Sequence, residues 1–294
     1  MTIGNKGKIS PIVLLIIDGW GIAPAGEGNA LAQANMPNFK ELVSKYPSTI
    51  LKTIFREGPA DKKMSVAGNY LSLGTSKIKP DRNSLCLFDI LDEAKINWLI
   101  ITEAEKLAYC AYFFAGRKKI KKDNYLLVPS KIIDNYSLKP EMASPEITEA
   151  LLKKLKSGKY NFILADFANL DLVAHMGDFS ATVKAAEKID QLLKNIVKTV
   201  LENSGILLIT SSNGNAEELI EMKTEIKNKK DTANPVPFLI IGRQFEGKTF
   251  GFKEALGSDL ALVAPDGSLL DVMPTILKIM GLEAPLGIEG KSLI

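Results

Sequence analysis

Short apolar runs alternate along the chain with longer stretches in which apolar residues recur at helical spacing. The short runs are typical of buried strands, and the longer stretches are typical of amphipathic helices. Strand and helix in this order predict an α/β fold with a mainly parallel central sheet and helices on both faces. The predicted strands are Ile12–Ile17, Thr49–Ile54, Trp98–Ile101, Phe162–Ala165, Ile206–Thr210 and Val236–Ile241, and the predicted helices are Asn38–Tyr46, Leu85–Lys95, Ser144–Lys156, Ser180–Glu202 and Asp271–Met280.

The segments between these elements carry weaker signals. Ser144 is predicted to be the N-cap of its helix, with Pro145 at the first helical position. The segments Gly58–Arg82 and Lys223–Asp231 are polar and weakly periodic, so we expect them to be mobile loops. We expect Lys106–Tyr136 to form a small antiparallel extension of the sheet.

Composition and charge exclude several classes of protein. With 46% hydrophobic and 24% charged residues, the chain is typical of globular proteins and unlike disordered or fibrous ones. Its formal net charge of +3 identifies no charged partner. A single histidine disfavours an enzyme built on several histidine ligands or on a histidine relay. Two cysteines suit a reducing compartment.

Two segments bear on localisation and on charged partners. The apolar segment Pro11–Ile17 is too short for a membrane helix or a signal peptide, and Asp18 follows it directly. We therefore expect a cytoplasmic protein without a membrane partner. The basic cluster Arg117–Lys122 lacks interleaved aromatic residues, so we expect a solvated hairpin tip and no nucleic-acid site.

Polar side chains follow three of the predicted strands. In open α/β sheets, functional sites collect beyond the carboxyl ends of the strands. Asp171 and His175 are four residues apart, so on a helix they would share one face and would be able to share a divalent metal. On spacing alone, however, such a pair is more often an ordinary surface or capping contact than a metal site, and Asp18 before a glycine is typical of a turn.

Longer motifs give these residues a context. The segments PIVLLIIDGWG (Pro11–Gly21), GNALAQANMPN (Gly28–Asn38) and KYNFILADFANLDLVAHMG (Lys159–Gly177) resemble the cofactor-independent phosphoglycerate mutases of the alkaline phosphatase superfamily. The segments from Glu103 to Lys106 and from Gly214 to Glu217 resemble further motifs of that family. The resemblance implies a three-layer phosphatase-type domain with two metal ions and a serine nucleophile. It covers nearly the whole chain, so we expect residues 1–294 to form one such domain.

The resemblance assigns the first metal to Asp171, His175 and Asp231. In the family the third position is a histidine, but a carboxylate also binds divalent cations. We expect this site to hold at most one divalent ion, manganese or zinc, and to hold it weakly. The alternative is an empty pocket in which His175 is hydrogen-bonded to one of the two carboxylates.

The second metal site departs from the family. Asp18 matches one ligand, but the Asp-His pair of the family is replaced by Ser212 and Asn213, which are neutral and do not offset a divalent charge. Lys106 matches the catalytic lysine. The serine motif is altered, and only a one-residue shift brings Ser65 to the nucleophile position.

The family also carries a second domain, inserted after the serine motif, that holds the glycerate. Here only a short connection, residues 75–84, stands in its place. These departures lead to three hypotheses of function. The first is a degenerate homologue without mutase activity, kept as a binding or structural subunit, with a protein partner or a phosphorylated small molecule as ligand. The second is a one-metal phosphohydrolase or phosphoryl transferase, and the third is a true glycolytic mutase.

Overall fold

A computed structural model describes residues 11–54, 66–130, 133–220, 227–249, 252–253 and 255–294. Its centre is an eight-stranded sheet in the order β4-β3-β5-β1-β6-β7-β2-β8. The strands are β1 (Ile12–Ile17), β2 (Ser48–Lys52), β3 (Trp98–Glu103), β4 (Tyr125–Val128), β5 (Phe162–Phe167), β6 (Ile206–Thr210), β7 (Val236–Ile241) and β8 (Gly267–Ser268).

The sheet is mainly parallel, as predicted. β1 lies at its centre and pairs in parallel with β5 on one side and β6 on the other. β7 is the exception, because it runs antiparallel to both β6 and β2. All six residues of β1 are buried, which is expected of a parallel strand covered on both faces.

Helices cover the sheet in two groups, which completes the three-layer α/β architecture. α7 packs against α1, α2, α5 and α6, whereas α3 packs against α4 and α8. Among the described residues, no helix is both long and apolar enough to cross a bilayer. The helices are α1 (Ala30–Gln33), α2 (Pro37–Lys45), α3 (Val66–Thr75), α4 (Leu87–Glu93), α5 (Ser144–Lys156), α6 (Asn169–His175), α7 (Phe179–Glu202) and α8 (Val272–Met280).

Three local predictions are wrong. Ser144 is the first residue of α5 and not its N-cap, which is Ala143; the Ser144 hydroxyl donates instead to the Glu141 carbonyl. In the described part of the segment Lys106–Tyr136, the predicted antiparallel extension is absent, because β4 pairs in parallel with β3. The basic cluster Arg117–Lys122 is accordingly part of a crossover and not a hairpin tip. That crossover contains three helical turns, which gives it the length that a parallel connection requires.

The segment Gly58–Arg82 is not a loop throughout. Residues 55–65 lie outside the described part of the chain, but the next ten residues form α3. Seven of these ten are buried, and they include polar residues such as Asn69 and Ser72. These buried polar residues obscure the apolar periodicity from which the helix would otherwise be predicted.

Candidate active site

The site forms where the carboxyl ends of adjacent parallel strands meet. Asp18 directly follows β1, Asp166 lies near the end of β5, and Ser212 and Asn213 follow β6. Gly19 has a φ of +82°, and a Cβ there would lie 2.6 Å from the Asp171 Cα. Only glycine therefore allows the β1 loop to approach the first turn of α6 so closely.

Asp18 is surrounded by donors from three other elements. The Ser212 hydroxyl donates to Asp18 Oδ1 over 2.6 Å. The Tyr70 hydroxyl of α3 lies 2.8 Å from Asp18 Oδ2. The Lys106 Nζ lies 2.7 Å from the same oxygen. Both carboxylate oxygens of Asp18 thus have partners within the protein, and the side chain is fully buried.

Asp166 is the second carboxyl of this cluster, and it contacts the Tyr70 hydroxyl. Burial and the neighbouring Asp18 carboxylate raise the pKa of Asp166 well above its usual range. Burial together with Asp166 and Asp18 also raises the pKa of Tyr70. The Tyr70 hydroxyl therefore lies between the Asp18 and Asp166 carboxyl groups and is within donating distance of both. The three groups then form one chain of hydrogen bonds.

Lys106 connects this cluster to α6. Its Nζ lies 2.9 Å from Asp171 Oδ2 as well as 2.7 Å from Asp18 Oδ2, and the residue is only 3% exposed. Burial disfavours the ammonium, but Asp171, Asp18 and Asp166 outweigh that effect and raise the pKa of Lys106 well above its usual value. The lysine is therefore charged inside the protein.

Asp171, His175 and Asp231 form a second group at the edge of the first. The His175 Nε2 lies 3.4 Å from Asp171 Oδ1 and 3.4 Å from Asp231 Oδ1. The Asn213 Nδ2 lies between the same two carboxylates, 3.2 Å from Asp171 Oδ1 and 3.0 Å from Asp231 Oδ1. Asn215 Nδ2 lies 3.1 Å from Asp171 Oδ1. Asp171 is consequently hydrogen-bonded through both of its oxygens.

A hydrogen bond to the Lys229 carbonyl oxygen fixes the orientation of the His175 ring. Its Nδ1 lies 2.7 Å from the Lys229 carbonyl oxygen, so Nδ1 is the protonated nitrogen and Nε2 faces the carboxylates. Hydrogen bonding to Asp231 and the charge of Asp171 outweigh burial, and raise the pKa of His175 from 6.5 to about 9. At neutral pH without a metal, the imidazole is therefore an imidazolium.

A buried glutamate braces the loops that carry these groups. The Glu217 carboxylate accepts from the backbone nitrogens of Gly21 at 3.1 Å and Asn215 at 2.8 Å. It also accepts from the Thr232 hydroxyl and from Asn234 Nδ2, the latter at 2.9 Å. One side chain thus ties the β1 loop to the loop after β6 and to the segment that follows Asp231.

The two groups differ in their access to solvent. Asp18, Lys106 and Ser212 are buried, whereas the side chains of His175 and Asp231 are 29% and 26% exposed. A ligand arriving from solvent therefore meets His175 and Asp231 first.

The donor sets differ in how well they fit a metal ion. One ligand atom each from Asp171, His175 and Asp231 lies within 4.8 Å of the others, and the Nε2 of His175 is oriented as a metal ligand would be. These three residues fit a divalent ion. Asp18, Ser212 and Asn213 do not, because both Asp18 oxygens already contact protein donors and the Asn213 amide nitrogen points at the carboxylates.

The structure thus brings together Asp18, Lys106, Asp171, His175, Ser212, Asn213 and Asp231. Ser65 lies outside the described residues. The sequence analysis missed Tyr70 and Asp166. Asp166 had a signal, because it ends a buried apolar strand beside β1, but Tyr70 lies in the segment expected to be a loop.

Comparison with known proteins places this geometry in a family. A sequence profile described as the metalloenzyme superfamily matches residues 10–284, so the chain belongs to that superfamily. Membership implies divalent-metal binding, which the Asp171, His175 and Asp231 group fits.

Individual relatives refine the placement. The chain is 38% identical over 210 residues to the 2,3-bisphosphoglycerate-independent phosphoglycerate mutase 2 of Methanosarcina barkeri, a match covering 71% of this chain and 37% of that protein. The crystal structure of the Leishmania mexicana phosphoglycerate mutase at low cobalt concentration matches with a TM-score of 0.57 and 27% identity, covering 69% of this chain and 38% of that one. The chain thus spans little more than a third of the length of these mutases.

A third match concerns the fold alone. A magnesium-bound variant of TAB5 alkaline phosphatase matches with a TM-score of 0.63 and 10% identity, over 94% of this chain and 99% of that one. The fold is thus that of an alkaline phosphatase, and the chain is a member of the metalloenzyme superfamily that is related to the 2,3-bisphosphoglycerate-independent phosphoglycerate mutases.

Proposed function

We propose that this chain is a phosphatase-type domain without mutase activity, acting as a binding or structural subunit. The observation that carries the proposal is the closed network around Asp18, where Ser212, Tyr70 and Lys106 take up both carboxylate oxygens. In the mutases that the sequence resembles, the corresponding aspartate holds the metal next to the nucleophile. Here it is an internal hydrogen-bond acceptor.

The consequence for catalysis follows from what phosphoryl transfer requires. Such reactions depend on positioning and on charge stabilisation of the transferring group. A serine nucleophile also needs a base or a metal to lower the cost of its deprotonation. Among the described residues, the only imidazole is that of His175, which is held between Asp171 and Asp231 and is protonated at neutral pH. It is therefore unsuited to act as a base.

The chain connection supports the same proposal. α3 ends at Thr75 and α4 begins at Leu87, so eleven residues join them where the resembled mutases insert their glycerate-holding domain. A mutase must retain the glycerate while phosphate moves between two of its hydroxyls. An eleven-residue connection supplies no comparable cradle.

One observation favours an alternative function. Asp171, His175 and Asp231 present converging ligand atoms, and two of the three side chains are partly exposed. When bound there, a divalent ion would act as a Lewis acid toward a phosphoryl oxygen. The chain itself would orient His175 through the Lys229 carbonyl and position Asp171 through Asn215. This arrangement would suit a one-metal phosphohydrolase.

The two functions are separated by assays on the purified, tag-free chain. We expect no interconversion of 3-phosphoglycerate and 2-phosphoglycerate, with Mn²⁺ or without it. Turnover within the ordinary range of about 1–1000 s⁻¹ would overturn the proposal. Hydrolysis of p-nitrophenyl phosphate that requires Mn²⁺ and is lost in His175→Ala would establish the alternative instead.

The ligand and the compartment are further parts of the proposal. A protein partner or a phosphorylated small molecule remains the expected ligand, and no role with nucleic acid or membranes is proposed. Cys86 and Cys110 are both free and buried, and burial raises the pKa of Cys86 to about 12. Such unreactive thiols are compatible with the reducing conditions of the cytoplasm, where we place the protein.

A further inference from the structure

The Lys106 ammonium lies between two carboxylates that the family resemblance assigns to two different metal ions. Its Nζ contacts one oxygen of Asp18 and one oxygen of Asp171, at 2.7 and 2.9 Å. All three side chains are at most 4% exposed. The ammonium therefore occupies the space between these two carboxylates, which a metal ion bound to Asp18 Oδ2 would need.

We propose that the Lys106 ammonium is a built-in counter-cation. It takes the place of the second divalent ion and prevents a metal ion from binding to Asp18. This inference rests on the proposed function, because it explains how the Asp18 network is stable without the ion. It also changes the role of Lys106, which the resemblance implies is catalytic.

The charge of the cluster requires such a cation. Asp18 is fully buried, and the hydroxyls of Ser212 and Tyr70 that contact it are neutral donors that do not offset its charge. Buried carboxylates without a counter-charge are strongly disfavoured.

The surroundings of Lys106 argue against contact with a substrate. The residue is 3% exposed, and its Nζ lies 5.0 Å from the centroid of the Tyr109 ring. Two carboxylates and an aromatic ring therefore surround the ammonium. A bound phosphate would also carry negative charge into a group that already contains Asp18 and Asp171.

The experiment removes the ammonium and counts the ions that bind. In Lys106→Ala, the vacated volume is open to an ion and its water ligands. We expect it to bind one more Mn²⁺ per chain than the unmodified protein, or to bind Mn²⁺ at least about tenfold more tightly, by isothermal titration calorimetry. The matched control is Lys118→Ala. Lys118 lies outside the site, where its Nζ is paired with Asp89 Oδ2 at 2.5 Å, so this variant should bind Mn²⁺ as the unmodified protein does.

A double variant tests whether the added ion uses Asp18. Asp18→Asn/Lys106→Ala lacks both the ammonium and the carboxylate, so it should lose the added ion. The proposal is overturned if Lys106→Ala folds and gains no Mn²⁺, or if the double variant gains as much as the single one.

Folding of the variants is followed by circular dichroism in EDTA and in Mn²⁺. Refolding of Lys106→Ala by Mn²⁺ alone supports the proposal. If Lys106→Ala is unfolded in both solutions, Asp18→Asn/Lys106→Ala must be more stable than the single variant, because the buried charge of Asp18 is gone and Asp171 still has His175 beside it. Equal instability of the two variants refutes the counter-cation role. These readouts are separate from turnover, so mutase activity in the unmodified protein would contradict the proposed function without deciding the ion count.

Discussion

His175 makes the stability of the metal-free protein depend on pH in a defined direction. Its folded pKa of about 9 lies above its ordinary value of 6.5, so the folded state binds the proton more tightly than the unfolded chain does. The stabilisation is therefore fully present below pH 6.5 and is lost as the pH rises through 9. A pKa difference of one unit corresponds to about 1.4 kcal/mol, so the His175 proton contributes about 3 kcal/mol to the free energy of unfolding at low pH.

The exposed part of the group reduces this figure. The side chains of His175 and Asp231 are 29% and 26% exposed, and salt screens charges that face solvent. We therefore expect about 2 kcal/mol at physiological ionic strength. Urea unfolding in EDTA at pH 6.5 and pH 9.5 measures it, with His175→Gln as the matched variant, because it retains a polar side chain without the titrating ring. The fall in stability should be about 2 kcal/mol smaller in His175→Gln than in the unmodified protein.

A direct measurement of the pKa is also within reach. The chain contains one histidine, so in tag-free protein a single imidazole signal appears in the NMR spectrum and needs no assignment. Its titration midpoint should lie near 9. A midpoint at or below 6.5, or the same loss of stability in both proteins, would show that the ion pairs with Asp171 and Asp231 do not hold the proton.

Two further predictions concern metal affinity and the loop that carries Asp18. Mn²⁺ must displace the His175 proton, so the affinity of the protein for Mn²⁺ should rise about tenfold per pH unit between pH 6.5 and 8. An affinity independent of pH would exclude His175 as a ligand. In Gly21→Ala, the new Cβ would lie 2.2 Å from the Glu217 carboxyl carbon, so the buried brace must move and stability should fall by about 3 kcal/mol in urea unfolding. Gly26→Ala is its control, because no atom lies within 4 Å of its Cβ; equal losses in both variants would show that the brace is not the cause.

Local sequence patterns predicted the elements in which buried positions are also apolar. β1 is buried throughout and reads as an unbroken apolar run, so both the strand and the position of Asp18 at its end could be predicted. α3 could not be, because seven of its ten residues are buried and several of those are polar. The same limitation concealed Tyr70, whose role depends on contacts with Asp18 and Asp166 that are 52 and 96 residues away.

The family resemblance implied ligand positions but could not show which groups surround them. The replacement of an Asp-His pair by Ser212 and Asn213 removes a negative charge and an imidazole, which alone suggests only a weakened metal seat. The structure shows in addition that Ser212 donates to Asp18, and that Lys106 supplies a positive charge at 2.7 Å. A metal site that has lost ligands but remains empty can still bind an ion at high metal concentration. A site occupied by a lysine ammonium can bind an ion only after the ammonium is displaced. The position of Lys106 is therefore the stronger reason to expect no second metal ion in this protein.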